Sequence, residues 1–113
     1  MALLHAKSGE VVDVRPFGAT LPMASTRTIV KTATLEIIRL VMRSGKVFHG
    51  HKVPGEISVH CLEGRCTFTT AGAKRDLEPG HLIYLTGGEE HALQATEDCS
   101  LLLTILLVDP KQE

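Results

Sequence analysis

Several residue types are scarce in this chain of 113 residues, and the scarcity of cysteine excludes two classes of protein. Tryptophan is absent, and aromatic residues make up 4% of the sequence. The three cysteines are an odd number without a Cys-x-x-Cys pair, which argues against a disulfide framework and a zinc ribbon. We therefore predict that they are small, buried, apolar residues.

Long runs of like charge and of apolar residues are missing as well. The formal net charge is −1, so we expect neither nucleic acid nor a membrane surface as a partner. The N-terminal region lacks the pattern of a signal peptide, and the apolar run at 101–108 is too short to span a bilayer. The expectation that follows is a cytoplasmic protein.

The apolar content is sufficient for one ordinary domain. Hydrophobic residues make up 43% of the chain, which is long enough for one core and too short for two. Residues 1–25 are interrupted by Pro16, Gly18 and Pro22, and we predict an N-terminal arm, with or without an edge or swapped strand. Such arms cover a sheet edge of their own chain or of a partner, which favours a homodimer. The remaining residues, 26–113, form the predicted domain.

Short segments rich in β-branched residues follow one another throughout that domain, separated by glycine-containing turns. The predicted strands are 28–34, 35–42, 46–51, 57–62, 65–70, 74–77, 81–86, 91–96 and 99–108. Their length and spacing predict an all-β antiparallel sandwich or barrel. If Glu63-Gly64 is a two-residue hairpin loop, Cys61 lies directly opposite Cys66 across the ladder. Whether these two thiols pair is left open.

The stretch GKVFHGHKVPGEISVHCLEG at 45–64 delivers two histidines on one predicted strand. His49 and His51 are two residues apart, so their side chains share a face on a regular strand. Together with residues 79–91, this stretch resembles the two motifs of a small single-domain cupin. The resemblance implies a double-stranded β-helix, or jelly-roll barrel. The first motif runs Gly, five residues, His-x-His, three or four residues, Glu, six residues, Gly.

Two registers of that motif are open. Anchored on Gly45 and Gly64, it places His51 at the first histidine, Val53 at the second and Ile57 at the glutamate. We favour this register because the turn at a glycine is a backbone requirement, whereas ligands change with the chemistry.

The rival register takes His49 and His51 as the histidine pair and Glu56 as the carboxylate, but it places Arg43 and Glu63 where the glycines belong. The second motif runs Gly, five residues, Pro-x-Gly, two residues, His, three residues, Asn. There Gly80, Gly88 and His91 match, while Thr86 replaces the proline and Ala95 the asparagine.

By this resemblance, His51 and His91 are what remains of the family's four usual metal ligands. The resemblance implies a divalent transition metal, Fe, Mn, Ni, Cu or Zn, and two protein ligands would hold such an ion weakly. A third ligand could come from His49, or from His60 if a bulge near Pro54-Gly55 turns it inward. Glu56 is a weaker candidate, since a solvated turn residue is the simpler interpretation. A barrel without a metal is the alternative.

Aromatic and apolar residues near these histidines are most simply core residues, but they are also candidates to line a small-molecule pocket at the barrel mouth. These residues are Val53, Ile57, Phe48, Tyr84, Met42 and Phe68. Two function classes follow. One is a metal-dependent dioxygenase or isomerase, favoured by the clustered histidines. The other is a non-catalytic barrel that binds a small organic molecule, favoured by Val53 and Ile57 at ligand positions.

Overall fold

The structure is a computed structural model that describes residues 5–50 and 53–107, and within them nine strands form two antiparallel sheets. The strands are β1 (Arg27–Lys31), β2 (Leu35–Met42), β3 (Val47–Gly50), β4 (Ile57–Glu63), β5 (Cys66–Thr70), β6 (Ala73–Leu77), β7 (Leu82–Leu85), β8 (His91–Ala95) and β9 (Cys99–Leu106). A short 3-10 helix, Gly18–Met23, precedes them. No helix in the described ranges is long and apolar enough to cross a membrane.

The strand order identifies the architecture. The larger sheet has the order β1-β2-β9-β4-β7 and the smaller sheet the order β3-β8-β5-β6. Strands distant in sequence lie side by side, as β2 and β4 both pair with β9, which is the connectivity of a jelly roll. The prediction of an all-β jelly-roll fold is therefore confirmed.

The core lies between the two sheets because apolar residues alternate along the strands. In β4, Ile57, Val59 and Cys61 are buried, while the intervening Ser58 and His60 are half-buried on the opposite face. Phe68 from β5 and other residues of both sheets fill the same core. Each strand of the larger sheet thus has a core face and an outer face.

The turn at Gly64 carries the chain from one sheet to the other. Cys61 pairs with Leu101 in the larger sheet, whereas Cys66 pairs with Ala95 and Leu77 in the smaller one. The prediction that Cys61 faces Cys66 across a hairpin ladder is therefore wrong. The β-propensity of the flanking residues and the glycine in the turn do not distinguish a hairpin from a corner between two sheets.

The three cysteines are buried, as predicted, and none is in a disulfide. Cys61, Cys66 and Cys99 are 0%, 1% and 0% exposed. Burial raises the pKa of the Cys61 thiol to about 11. A hydrogen bond with Cys99 raises the pKa of Cys66, and the same bond lowers that of Cys99. The cysteines therefore act as small core residues at the end of the barrel marked by Gly64.

A buried polar network fastens the N-terminal arm to the outer face of the larger sheet. Arg39 is 5% exposed, and its Nη2 donates to the backbone oxygen of Arg15 at 2.7 Å and to Glu63 Oε2 at 3.3 Å. The same carboxylate oxygen accepts a bond from Ser100 Oγ at 2.6 Å and one from the backbone N–H of Phe17 at 2.9 Å. We call Arg39, Glu63, Ser100 and Phe17 the arm latch.

The electrostatics of the arm latch favour an ionised carboxylate. Burial raises the pKa of Glu63. Three hydrogen bonds, from Ser100 and from the backbone N–H groups of Phe17 and Gly18, lower it, as does the charge of Arg39. The lowering effects are larger, so the pKa of Glu63 lies below its usual value. The Phe17 ring covers the guanidinium of Arg39 at 3.9 Å from its centroid. The arm therefore adds both an aromatic cover and backbone donors to a buried ion pair.

Candidate functional site

The candidate site lies at the end of the sandwich where β4 and β8 begin. Ile57 starts β4, pairs with Leu85 and Ile105, and is 4% exposed on the core face. His91 starts β8 between Gly50 of β3 and Thr70 of β5. We call this end the barrel mouth.

The imidazole of His91 is held on the core face of the smaller sheet. Its ring stacks on Phe68, with centroids 5.6 Å apart and planes 5° from parallel, and Phe68 itself is fully buried. The Nδ1 atom lies 3.5 Å from the backbone oxygen of Glu89. Stacking on a buried aromatic ring fixes the orientation of this half-buried imidazole.

A carboxylate not singled out from the sequence, that of Glu89, lies between Thr86 and Thr70, the cross-strand partner of His91. Thr86 Oγ1 donates to Glu89 Oε1 at 2.8 Å, and Thr70 Oγ1 donates to Glu89 Oε2 at 3.2 Å. A signal for the first contact exists in the sequence, because Thr86 and Glu89 flank the two-glycine turn at 87–88. The contact with Thr70 depends on tertiary pairing and has no local signal.

Backbone contacts bring the loops on either side of the mouth together. The Gly88 N–H donates to the Val53 oxygen at 2.8 Å. A Cβ at Gly87 would lie 2.1 Å from the Pro54 oxygen, and one at Gly55 would lie 2.1 Å from the Leu106 oxygen. Glycine is therefore required at both positions for this close approach.

His51, the favoured first ligand, lies outside the described residues, as does Lys52. The preceding residue, Gly50, pairs with His91 at the end of β3.

The remaining histidine candidates lie away from His91. His49 pairs with Ala92, the residue next to His91, so the two imidazoles are on opposite faces of the smaller sheet. His60 pairs with Leu82 and Leu102 on the outer face of the larger sheet. The structure therefore contradicts the prediction of either residue as a ligand shared with His91. No bulge turns His60 inward, since the β4 pairing is regular from Ile57 to Cys61.

Glu56 is also directed away from the barrel interior. It is exposed and accepts a hydrogen bond from the hydroxyl of Tyr84. Tyr84 pairs with Ser58 on the outer face of the larger sheet and is 54% exposed. The structure therefore corrects two predictions. Tyr84 does not line the mouth, and Glu56 is not a carboxylate ligand beside His91.

The other predicted lining residues divide between core and mouth. Met42 is 2% exposed and pairs with Cys99, six residues along β9 from the partner of Ile57, about 20 Å away, so it does not line the mouth. Val53 is half-buried against the core. Phe48 shares the His91 face of the smaller sheet but lies on an edge strand, where it remains 38% exposed.

The donor set of the described residues does not fit a transition metal bound by three or more protein ligands. Within residues 5–50 and 53–107, no group of three or more His, Cys, Asp or Glu side chains could hold an ion. In the register anchored on Gly45 and Gly64, the carboxylate position of the motif holds the buried side chain of Ile57. Divalent metals need nitrogen, oxygen or sulfur donors, and a hydrocarbon wall offers none.

Comparison with known families agrees with the jelly-roll fold. The sequence profile of the family described as "Cupin domain" matches residues 39–106, more than half of the chain. The chain belongs to the cupin family. The match begins within β2 and ends with β9, so it includes the barrel mouth and all strands but β1. Comparison with curated protein sequences gives no match.

Solved structures of other proteins have the same fold at low sequence identity. A conserved protein of unknown function from Streptococcus pyogenes superimposes with a TM-score of 0.74 at 22% identity, covering 96% of both chains. A cupin superfamily protein from Desulfitobacterium hafniense gives 0.75 at 15% identity, covering 91% of this chain and all of that one. A predicted oxalate decarboxylase from Thermotoga maritima gives 0.65 at 22% identity, covering 74% and 79%. These likenesses show the fold.

Proposed function

We propose that this cupin binds a small, largely apolar organic molecule at the barrel mouth and does so without a resident metal. The observation that carries the proposal is the burial of Ile57, which stands at the carboxylate position of the family motif in the register anchored on Gly45 and Gly64. An isoleucine there replaces a charged metal donor with hydrocarbon. Burial of apolar ligand surface against it favours binding, whereas a cation has nothing there to coordinate.

His91 supplies the polar contact in this proposal. Its Nδ1 faces the Glu89 backbone oxygen, and Nε2 has no hydrogen bond with any part of the chain that the structure describes. The stack on Phe68 keeps the ring in place. A hydroxyl, carbonyl or carboxylate on the ligand could pair with this nitrogen while its hydrocarbon part packs on Ile57 and Val53.

Methyl-resolved NMR during a screen of small organic molecules tests the proposal. Binding at the mouth shifts the methyl resonances of Ile57 and Leu85 and leaves those of Val47 unchanged. Val47 is the control because it pairs with Gln94 on the outer face of the smaller sheet. We expect His91→Ala to weaken binding of a hit about tenfold, the loss of one good hydrogen bond. Hits that shift Val47 as much as Ile57 would contradict the proposal.

Metal-dependent catalysis is the competing function. It is favoured by the position of His91 on the core face beside the end of β3, from which the chain continues to His51. Metal analysis of untagged protein incubated in turn with Mn, Fe, Ni, Cu and Zn separates the two. We expect far less than one ion per chain, with no change in His91→Ala. Near-stoichiometric metal that is lost in His91→Ala would overturn the metal-free proposal.

A further inference from the structure

The carboxylate of Glu89 spans the gap between the two sheets at the barrel mouth. Its Oε1 accepts a hydrogen bond from Thr86, which directly follows β7 of the larger sheet. Its Oε2 accepts one from Thr70, the last residue of β5 in the smaller sheet. A hydroxyl from the end of each sheet therefore holds this half-buried carboxylate in position.

The Glu89 carboxylate lies on the same side of the smaller sheet as the imidazole of His91. Thr70 and His91 are directly opposite each other on β5 and β8, so their side chains leave the sheet on one face. That face is the core face, because Phe68, two residues before Thr70, is fully buried. Since Thr70 Oγ1 contacts Glu89 Oε2 at 3.2 Å, the carboxylate and the imidazole both lie beside the side chain of Thr70.

Both oxygens of Glu89 keep the capacity to accept further hydrogen bonds. An ionised carboxylate has about four lone-pair sites, and the hydroxyls of Thr70 and Thr86 occupy two of them at most. The Thr70 hydroxyl also lies 3.0 Å from the backbone oxygen of Glu90, so its proton is shared between two acceptors. Within residues 5–50 and 53–107, no ion pair involves Glu89. In those ranges the carboxylate thus accepts hydrogen bonds from uncharged hydroxyls.

His91 presents a second acceptor beside this carboxylate. The backbone oxygen of Glu89, 3.5 Å from Nδ1, offers only lone pairs, so the contact is favourable when Nδ1 carries the proton. In a neutral imidazole protonated at Nδ1, the other nitrogen, Nε2, is an acceptor. Of the ligand groups that could meet Nε2, this tautomer favours a hydroxyl or an amine over a carbonyl or a carboxylate, which have no proton to donate.

We propose that the ligand of the barrel mouth is a primary amine with a hydrocarbon body, bound as its ammonium form at Glu89 and His91. The body packs against Ile57 and Val53. The inference rests on the proposed metal-free function of the mouth and names its ligand class. An ammonium group has several N–H donors and a positive charge, so it satisfies both acceptors at once and is attracted to the carboxylate. A hydroxyl has a single donor and no charge.

Titration of the full chain with hexylamine tests the ligand class, with hexan-1-ol as the uncharged control and hexanoate as the anionic one. We expect hexylamine to shift the methyl resonances of Ile57 and Leu85 while those of Val47, on the outer face of the smaller sheet, stay unchanged. Hexan-1-ol is expected to shift the same methyls and to bind at least tenfold more weakly. Hexanoate is expected to bind more weakly than hexan-1-ol.

Glu89→Gln separates the ammonium contact from the apolar contact. The glutamine keeps the shape of the side chain and one acceptor oxygen but removes the charge. We expect it to weaken hexylamine binding at least tenfold and to change hexan-1-ol binding less than twofold, which also shows that the mouth is intact. The matched control is Glu97→Gln, an exposed carboxylate beyond the opposite end of β8, which should change hexylamine binding less than twofold.

The outcomes distinguish this inference from the proposed function. Equal binding of hexylamine and hexan-1-ol at Ile57 would overturn the ammonium ligand and leave the apolar mouth supported. Unchanged hexylamine binding in Glu89→Gln, or tighter binding of hexanoate, would have the same meaning. Absence of shifts at Ile57 with all three compounds would overturn both proposals. Hexylamine shifts as large at Val47 as at Ile57 would indicate surface binding and would overturn the ammonium site.

Discussion

Replacing Glu63 by glutamine tests the arm latch most directly. The substitution keeps the shape of the side chain but removes the charge that faces Arg39, whose side chain is 6% exposed against 13% for Glu63. Breaking a buried ion pair from one side costs about 3–5 kcal/mol, because the remaining charge stays buried. Since Glu63 keeps some contact with solvent and the amide keeps one acceptor oxygen, we expect a loss of about 3 kcal/mol in the free energy of unfolding.

Urea denaturation followed by circular dichroism measures this loss from the midpoint and slope of the transition. Hydrogen exchange adds a local readout, since the N–H groups of Phe17 and Gly18 donate to Glu63 and should lose protection in Glu63→Gln. The matched control is Glu97→Gln. Glu97 lies 3.9 Å from Arg65 in an exposed ion pair, so its loss should cost less than about 0.5 kcal/mol.

A double-mutant cycle gives a further check on the ion pair. If Arg39 and Glu63 are coupled, the double variant Arg39→Met, Glu63→Gln should lose less stability than the two single variants lose together. We expect the difference between these two free-energy losses to exceed about 1 kcal/mol. A loss below about 1 kcal/mol in Glu63→Gln, with unchanged exchange at Phe17 and Gly18, would refute the latch as a source of stability.

Three other predictions concern the corner, the single tyrosine and pH. Gly64→Ala should lower the free energy of unfolding by about 3 kcal/mol or more, measured by thermal denaturation, because its Cβ would lie 2.0 Å from the Asp98 oxygen. The control is Gly72→Ala, which is also at positive φ but in open space and should lower it by about 1 kcal/mol. The Glu56 hydrogen bond raises the pKa of Tyr84, so absorbance titration of this single tyrosine should give a midpoint above 10 that falls in Glu56→Gln; equal midpoints would contradict the contact. Because the pKa of Glu63 is lowered in the folded state, its stabilisation is complete above about pH 4.5 and is lost as pH falls through the lower folded value. The stability difference between wild type and Glu63→Gln should therefore be constant above about pH 4.5 and shrink at lower pH, and a difference that does not change with pH would contradict the lowered pKa.

Strands could be predicted from the sequence because their signals are local. β-branched residues and glycine turns located β2 at the predicted 35–42 and placed β4 and β8 within one residue of their predicted ranges. The corner at Gly64 could not be predicted in this way. Its positive φ is compatible with a hairpin loop, and the choice of sheet depends on pairing with β9 and β8, far along the chain.

Side-chain direction at the candidate site was predictable in part. The odd spacing between Ile57 and His60 indicates opposite faces, and the structure has them so. For His49, the local pattern does not indicate which face of β3 meets the core, because His49 and Phe48 are both compatible with a barrel interior. Phe48 pairs with the core residue Leu93, so Phe48 is on the core face of β3 and His49 is on the opposite face.

The arm latch had no sequence signal that local reasoning could use. Arg39 lies in an apolar strand, Glu63 in a turn and Ser100 beside a cysteine, and each position suggests a solvated residue. They meet because β2, β9 and β4 are neighbours in the larger sheet. The arm accounts for the burial of Arg39, because the backbone oxygen of Arg15 and the ring of Phe17 contact its guanidinium.

The separation of the latch partners along the chain has a consequence for the order of folding. Its hydrogen bonds join residues 24 to 61 positions apart, and they require β2, β4 and β9 to be paired beforehand. We therefore expect the arm to dock after the larger sheet has assembled. A weakened latch would leave the rate of refolding unchanged and would shorten the lifetime of the native state.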